Sequence, residues 1–209
     1  MNQQLRKFLP GTGGLLLAAA ALMLSGCSGA TTEGSKAVAA APARDLSTGG
    51  NCTEGENIVI AADEATPVIE GQCGTVQISG NGVRGNIAQA DTVELTGSNA
   101  TILGTQWGTA DVKGEGVTLN VDELAKLESQ AKGTHLTGKR VDEVILGADD
   151  ASVNAVDAKV LKIDGNNATV LLDEISEAFE VHGDHNTVNW SSGLEAPSVD
   201  TGSGNTYTF

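Results

Sequence analysis

Leu161–Leu172 reads LKIDGNNATVLL, and Phe179–Trp190, eighteen residues further on, reads FEVHGDHNTVNW. In both, apolar side chains alternate with polar ones, break at a glycine followed by Asn, Asp or His, and resume. An alternation of period two is a strand signal. Asn, Asp and Gly in the break tolerate left-handed backbone and bond to their own main chain. Each copy therefore reads as strand, turn, strand. One unit of this length cannot bury its own apolar face. Equivalent units stacked at about 4.8 Å pair every strand above and below, and their inward side chains merge into a single column.

The same unit recurs on both sides of the two copies. Glycines that follow a short β run stand at Gly80, Gly97, Gly114, Gly133, Gly147, Gly165, Gly183 and Gly202, on average about 17.4 residues apart. Two residues before most of them stand Ile78, Leu95, Val112, Ile145, Ile163 and Val181, and five after stand Ile102, Leu119, Val170, Val188 and Tyr207. The fit is good at Gly97, Gly165 and Gly183 and poor at Gly133 and Gly147. The pattern predicts an all-β chain, a β-helix-like solenoid of about eight short turns over residues 51–209, roughly 40 Å long. An antiparallel β-sandwich also gives short, evenly spaced strands, but the fixed period and the recurring glycine favour the solenoid. Asn99, Asn167 and His185, two residues after their glycines, are expected to form turn ladders. Phe179 and Trp190 fall in the inward register. The segment Val121–Lys132, VDELAKLESQAK, has Leu124 and Leu127 at helical spacing before Gly133, which predicts a short helical or turn-like decoration.

The first residues read differently. Arg6 and Lys7 precede an apolar run, Leu15–Leu24, of ten residues, too short for a stable transmembrane helix and suited to a secretory signal. It ends in Leu24-Ser25-Gly26-Cys27, which resembles the lipobox of bacterial lipoproteins. That resemblance implies cleavage of residues 1–26, attachment of diacylglycerol to Cys27, acylation of the new N-terminus, and a cell-membrane anchor on the extracytoplasmic face. Two or more acyl chains anchor stably where one does not. Residues 27–50, rich in Ala, Ser, Thr and Gly, read as the lipidated cysteine and a flexible tether. The remaining cysteines, Cys52 and Cys73, form an even pair in an oxidising compartment and predict a disulfide, with NIVIAA at Asn57–Ala62 helping to cap the first turn. A metal pair or free thiols are the alternatives; the spacing is not Cys-x-x-Cys, and no histidine lies nearby.

Charge and motif content restrict the chemistry. The formal net charge is −15, and removal of Arg6 and Lys7 with the leader makes it −17. Such a chain is a poor partner for nucleic acid. His182, Asp184 and His185 in HGDH offer two imidazoles and a carboxylate, a candidate ligand cluster, but they occupy a turn slot where other units carry Asn or Ser. Carboxylate pairs such as Asp142-Glu143 and Asp149-Asp150 read as solvated faces. No nucleophile elbow, phosphate loop or nucleotide fingerprint occurs. Trp107, in TQWGT, is placed by its spacing in a return turn, where an exposed ring would serve as a glycan platform.

The lipobox, the tether, the early cysteine pair and the closing GDHNTVNW…PSVDTGSGNTYTF together resemble mycobacterial and actinobacterial lipoproteins that share a domain of unknown function built on Gly-Asp/Asn-x-Asn-x-Val repeats. The resemblance covers roughly residues 50–209 and implies an envelope lipoprotein with no known enzymatic activity, catalytic residue or cofactor. The expectation is a non-catalytic, lipid-anchored protein whose strand faces bind an envelope protein or glycan. The alternatives are a glycan-binding or glycan-cleaving solenoid and a prophage-borne exclusion or host-interaction lipoprotein.

Overall fold

The computed structural model of the chain describes residues 43–209. The leader, Cys27 and most of the tether lie outside them. Short strands at Arg44–Asp45, Gly50–Asn51 and Glu56–Ile60 lead into five long ones, Val68–Ile78, Arg84–Leu95, Thr101–Val112, Thr118–Ser129 and His135–Leu146. Beyond Leu146 the equivalent strands are split: Ser152–Asn154 with Asp157–Ile163, then Thr169–Leu171 with Glu174–Val181. Thr187–Asn189, Ser192–Gly193, Val199–Asp200 and Thr206–Thr208 complete the last turns. Every pairing is parallel, and each strand pairs with its counterpart one turn away. The domain is a parallel β-solenoid of about ten turns. The count exceeds eight because the first turns, around Leu46 and Ile60, carry no glycine in the diagnostic slot. Arg44–Asp45 pairs with Ile58–Val59, so the solenoid begins inside the stretch assigned to the tether.

The core is a set of in-register columns. Ile78, Leu95, Val112, Ser129, Leu146, Ile163 and Val181 occupy one position in successive turns. Val76, Val93, Ala110, Leu127, Val144, Leu161 and Phe179 occupy a second, and all seven are fully buried. Ile102, Leu119, Leu136, Val153, Val170 and Val188 form a third. This is the burial expected of Phe179, and Trp190 is buried beside it with ring centroids 5.2 Å apart.

The turns correct the glycine series. A left-handed residue recurs at Glu64, Gly82, Asn99, Gly116, Gly133, Asp150, Asn167, His185 and Gly204. The slot two residues before it holds Ala62, Gly80, Gly97, Gly114, Ala131, Ala148, Gly165, Gly183 and Gly202. Gly133 is thus a left-handed turn residue, and Gly147 precedes the slot by one; the period never lapses there. The turn ladder also shifts by one residue. The side chains of Asp63, Asn81, Asp149, Asn166 and Asp184 accept from the main-chain N–H of Asn81, Ser98, Asn166, Asp184 and Ser203 one turn on, at 2.7–3.0 Å. Asn99, Asn167 and His185 instead hold the left-handed bend with exposed side chains.

Where Ala131 replaces glycine, two core positions turn polar. The Ser129 and Thr134 hydroxyls, both buried, lie 2.7 Å apart and donate toward the Ala131 carbonyl at 3.3 and 3.1 Å. Every buried hydroxyl there is satisfied, as burial without cost requires. The predicted helix over 121–132 is absent: Thr118–Ser129 is one strand. Leu124 and Leu127 both point inward because the strand turns a corner at Ala125-Lys126, leaving two outward residues between them instead of one.

Candidate binding surface

Parallel in-register stacking places like positions about 4.8 Å apart. A run of identical charges in one column is therefore repulsive. The acidic faces answer this with cations one turn away from carboxylates. Arg140 pairs with Glu123 at 2.6 Å, Lys139 with Asp122 at 3.0 Å, Lys159 with Asp142 at 3.2 Å and Lys132 with Asp150 at 2.9 Å. Lys126 sits between Glu128 and Glu143. These pairs are largely exposed and screened by solvent, so each adds little to stability. Their role is to make stacking of an acidic chain tolerable.

One face differs. Its first outward column runs Arg84, Thr101, Thr118, His135, Ser152, Thr169, Thr187, Thr206. Its second runs Val68, Asn86, Leu103, Asn120, Thr137, Asn154, Leu171, Asn189, Thr208. Each of these residues is exposed or half-exposed. Neither column contains an aspartate or a glutamate, although the chain has 27. The face is a lattice of hydroxyls and amides about 4.8 Å apart along the axis and about 6.6 Å apart along a strand. Three of the four large aliphatic side chains more than 40% exposed lie here, Val68, Leu103 and Leu171; the fourth, Val156, lies beside Lys139.

Two shallow hollows open on this face. Toward the first turns, Thr66, Val68, Arg84, Asn86, Thr101 and Leu103 line about 370 Å³. At the far end, Asn154, Leu171, Asn189, Trp190, Thr208 and Phe209 line about 420 Å³, together with Asp173, the one carboxylate of that lining. There Trp190 donates its indole N–H to the Leu194 carbonyl at 2.6 Å, which fixes the ring. Tyr207 packs edge-on against Phe179 at 5.8 Å, and Phe209 lies tilted against Trp190 at 5.5 Å while remaining 59% exposed.

The residues singled out in the sequence are dispersed. Trp107 is not in a return turn; it lies inside strand Thr101–Val112, 2% exposed, with its indole N–H donating to the Ile87 carbonyl at 2.9 Å. Its ring fills the space above Gly104, where a Cβ would lie 2.4 Å from the ring. No exposed aromatic platform exists at that position. His182 faces Thr201, with Nδ1 and the hydroxyl 3.0 Å apart, and Glu180 lies 3.8 Å from its Nε2. Asp184 is committed to the turn ladder; hydrogen bonds from the Ser203 main chain and hydroxyl hold its carboxyl below the ordinary range. His185 holds the left-handed bend. Among the described residues, no three His, Cys, Asp or Glu side chains gather as a metal site. Cys52 and Cys73 are joined by a disulfide that staples the first strands to the column position continued by Ala90 and Trp107. Beside it, hydrogen bonds from Arg44, and then from the Thr53 main chain, pull the Glu56 carboxyl down to about 2. Cys27 lies outside the described residues, among which no helix is long and apolar enough to cross a membrane.

The neutral face escaped the sequence reading, which tracked the inward columns. Its signal is there once the turns are aligned: Thr-x-Leu at Thr101, Thr-x-Asn at Thr118, Thr-x-Leu at Thr169, Thr-x-Asn at Thr187 and Thr-x-Thr at Thr206. Comparison with known proteins finds no matching family model, curated relative or solved structure.

Proposed function

We propose that the chain is a non-catalytic, lipid-anchored protein of the bacterial envelope, tethered through Cys27 on the extracytoplasmic face, which uses the neutral face of its solenoid as a binding surface. The observation that carries this reading is the segregation of charge. The two columns together hold seventeen exposed or half-exposed positions without a carboxylate, whereas columns further along the same strands carry Asp122, Glu123, Asp142 and Glu143. Scattered acids keep such a protein soluble, and leaving one face without them removes the electrostatic barrier to close approach there. Exposed leucines and valine on the same face supply apolar contact area. The leader and the Leu-Ser-Gly-Cys motif support the anchor and the location. The resemblance to actinobacterial repeat lipoproteins supports the same reading.

The anchor is tested by the intact mass of the mature chain. Acylation adds the mass of fatty chains to Cys27–Phe209, and a species at the unmodified mass would sink it. The surface is tested by sedimenting purified chain with envelope fragments. Wild type is expected to pellet and the Thr118→Glu/Asn120→Glu chain, with two acids in the middle of the face, to stay in solution. Equal sedimentation of the two would sink the reading.

A further inference from the structure

The reading of the neutral face as a binding surface leaves open the chemical class of what it binds, and the face's own chemistry narrows it. We propose that the face binds a neutral polysaccharide lying along the solenoid axis, with one sugar ring held in the distal hollow against Phe209. This rests on the proposed function above. Four observations lead to it.

Apart from Arg84 and His135, the polar groups on offer are hydroxyls and carboxamides, which both donate and accept. A polyol presents the same mixture, so every contact finds a complement without a fixed polarity. A polyanion meets a chain of net charge −15 and is repelled. A cationic ligand finds its carboxylates on the other faces.

The spacing is repetitive. Asn86, Asn120, Asn154 and Asn189 recur at every second turn, and Thr or Ser fills six of the eight positions of the first column, so a polymer with a short repeat makes many weak contacts at once and gains affinity from their number. A small ligand has no use for such length.

The distal hollow supplies what the flat face lacks. Phe209 is exposed and braced by Trp190, and Asn154, Asn189, Thr208, Leu171 and the Asp173 carboxylate, an acceptor for sugar hydroxyls, line the same hollow. An exposed ring flanked by amides suits a pyranose, whose C–H face stacks on the ring while its edge hydroxyls reach the amides.

Each hollow interrupts the flat face near one end, so a chain long enough to reach from Leu103 to Phe209 touches both. Trp107, the aromatic that the sequence suggested for this role, is buried and takes no part.

The test is affinity electrophoresis of the full chain in native gels cast with amylose, dextran or laminarin, with heparin as the polyanion. The acidic protein runs fast, so retardation is easily read. At least a twofold loss of mobility is expected in one neutral gel, with no change in heparin. Phe209→Ala, which removes an exposed ring, is expected to weaken retardation at least fivefold while its far-ultraviolet circular dichroism matches wild type. Thr118→Glu/Asn120→Glu is expected to abolish it, and His182→Ala to leave it unchanged. Unaltered mobility in all three neutral gels, retardation that survives both face variants, or equal retardation by heparin would overturn the inference. A dimer in light scattering that Thr118→Glu/Asn120→Glu dissociates would also overturn it, by assigning the face to a second copy. If neutral gels do nothing while sedimentation with envelope fragments still depends on Thr118 and Asn120, the glycan is wrong and the binding surface stands. If neither depends on them, both fall.

Discussion

Replacing Gly97 by alanine tests how closely the turns are stacked. A Cβ at Gly97 would lie 2.0 Å from the carbonyl oxygen of Gly80 and 2.7 Å from its carbon, both backbone atoms of the turn before. The same approach recurs at Gly114 against Gly97, and at Gly183 against Gly165. The backbone at Gly97 is not left-handed, so the obstacle is contact and not torsion. Relief requires a local separation of about 1 Å, since Cβ atoms do not approach closer than 3.0 Å. That stretches the bonds from the Thr96 and Gly97 N–H groups to the Ile78 carbonyl, now 2.9 and 3.1 Å, and the Ser98 N–H bond to Asn81 at 3.0 Å. Overpacking costs about 1–3 kcal/mol, and each weakened bond adds up to about 1 kcal/mol. The expected loss is about 3–5 kcal/mol, a large part of the stability of an ordinary domain. Urea unfolding followed by circular dichroism measures it. The matched control is Ala131→Gly, where the same slot already carries a methyl group; its cost is about 0.5–1 kcal/mol from backbone entropy. Equal losses for the two variants would refute the stacking.

Further consequences follow from single residues. Tyr207 is the one tyrosine in the chain; burial, then its hydrogen bond to Asp200 at 2.8 Å, raises its phenol above the ordinary value of 10. The unfolded chain therefore ionises first, and stability falls as pH rises above about 10; tyrosinate absorbance should show a native midpoint clearly above the unfolded one, and coincident midpoints would contradict the Tyr207–Asp200 hydrogen bond. Trp107→Ala should cost about 3–5 kcal/mol, by leaving a cavity over Gly104 and removing the indole bond to the Ile87 carbonyl, and should leave binding to envelope fragments unchanged in urea-free buffer. Breaking the Cys52–Cys73 bridge should cost about 3 kcal/mol for its loop of about twenty residues; a shift below about 1 kcal/mol in the urea titration would show that the first turns are held by other means.

The period was legible in the sequence because the turn residues are chemically constrained: only a few residue types hold a left-handed bend or sit 2 Å from a carbonyl. The inward columns at Ile163, Val181, Phe179 and Trp190 followed from it. The middle turns were misaligned because Ala131 and Ala148 take the glycine slot, and Gly133, a left-handed turn residue, drew the count onto itself. The corner of the strand produced the other errors. Two outward residues between Leu124 and Leu127 imitate a helical step, and the same step separates Trp107 from Ala110. The residue that marks Trp107 as buried is Gly104, three positions earlier, a vacancy in a core column that only a large neighbour fills. The neutral face was hard to see because it is defined by what is missing, and a missing carboxylate shows only after the turns are superposed.

Spin labels on the neutral face test the architecture and the face together. With one label at residue 101 and a second at 152, 169 or 187, the second site lies three, four and five turns away, and parallel stacking predicts separations near 14, 19 and 24 Å. Electron–electron resonance distances that rise by about 4.8 Å per turn would place Thr101, Ser152, Thr169 and Thr187 in one straight column. Distances that do not grow with turn number would mean that these threonines share no face, and the surface built on them would not exist.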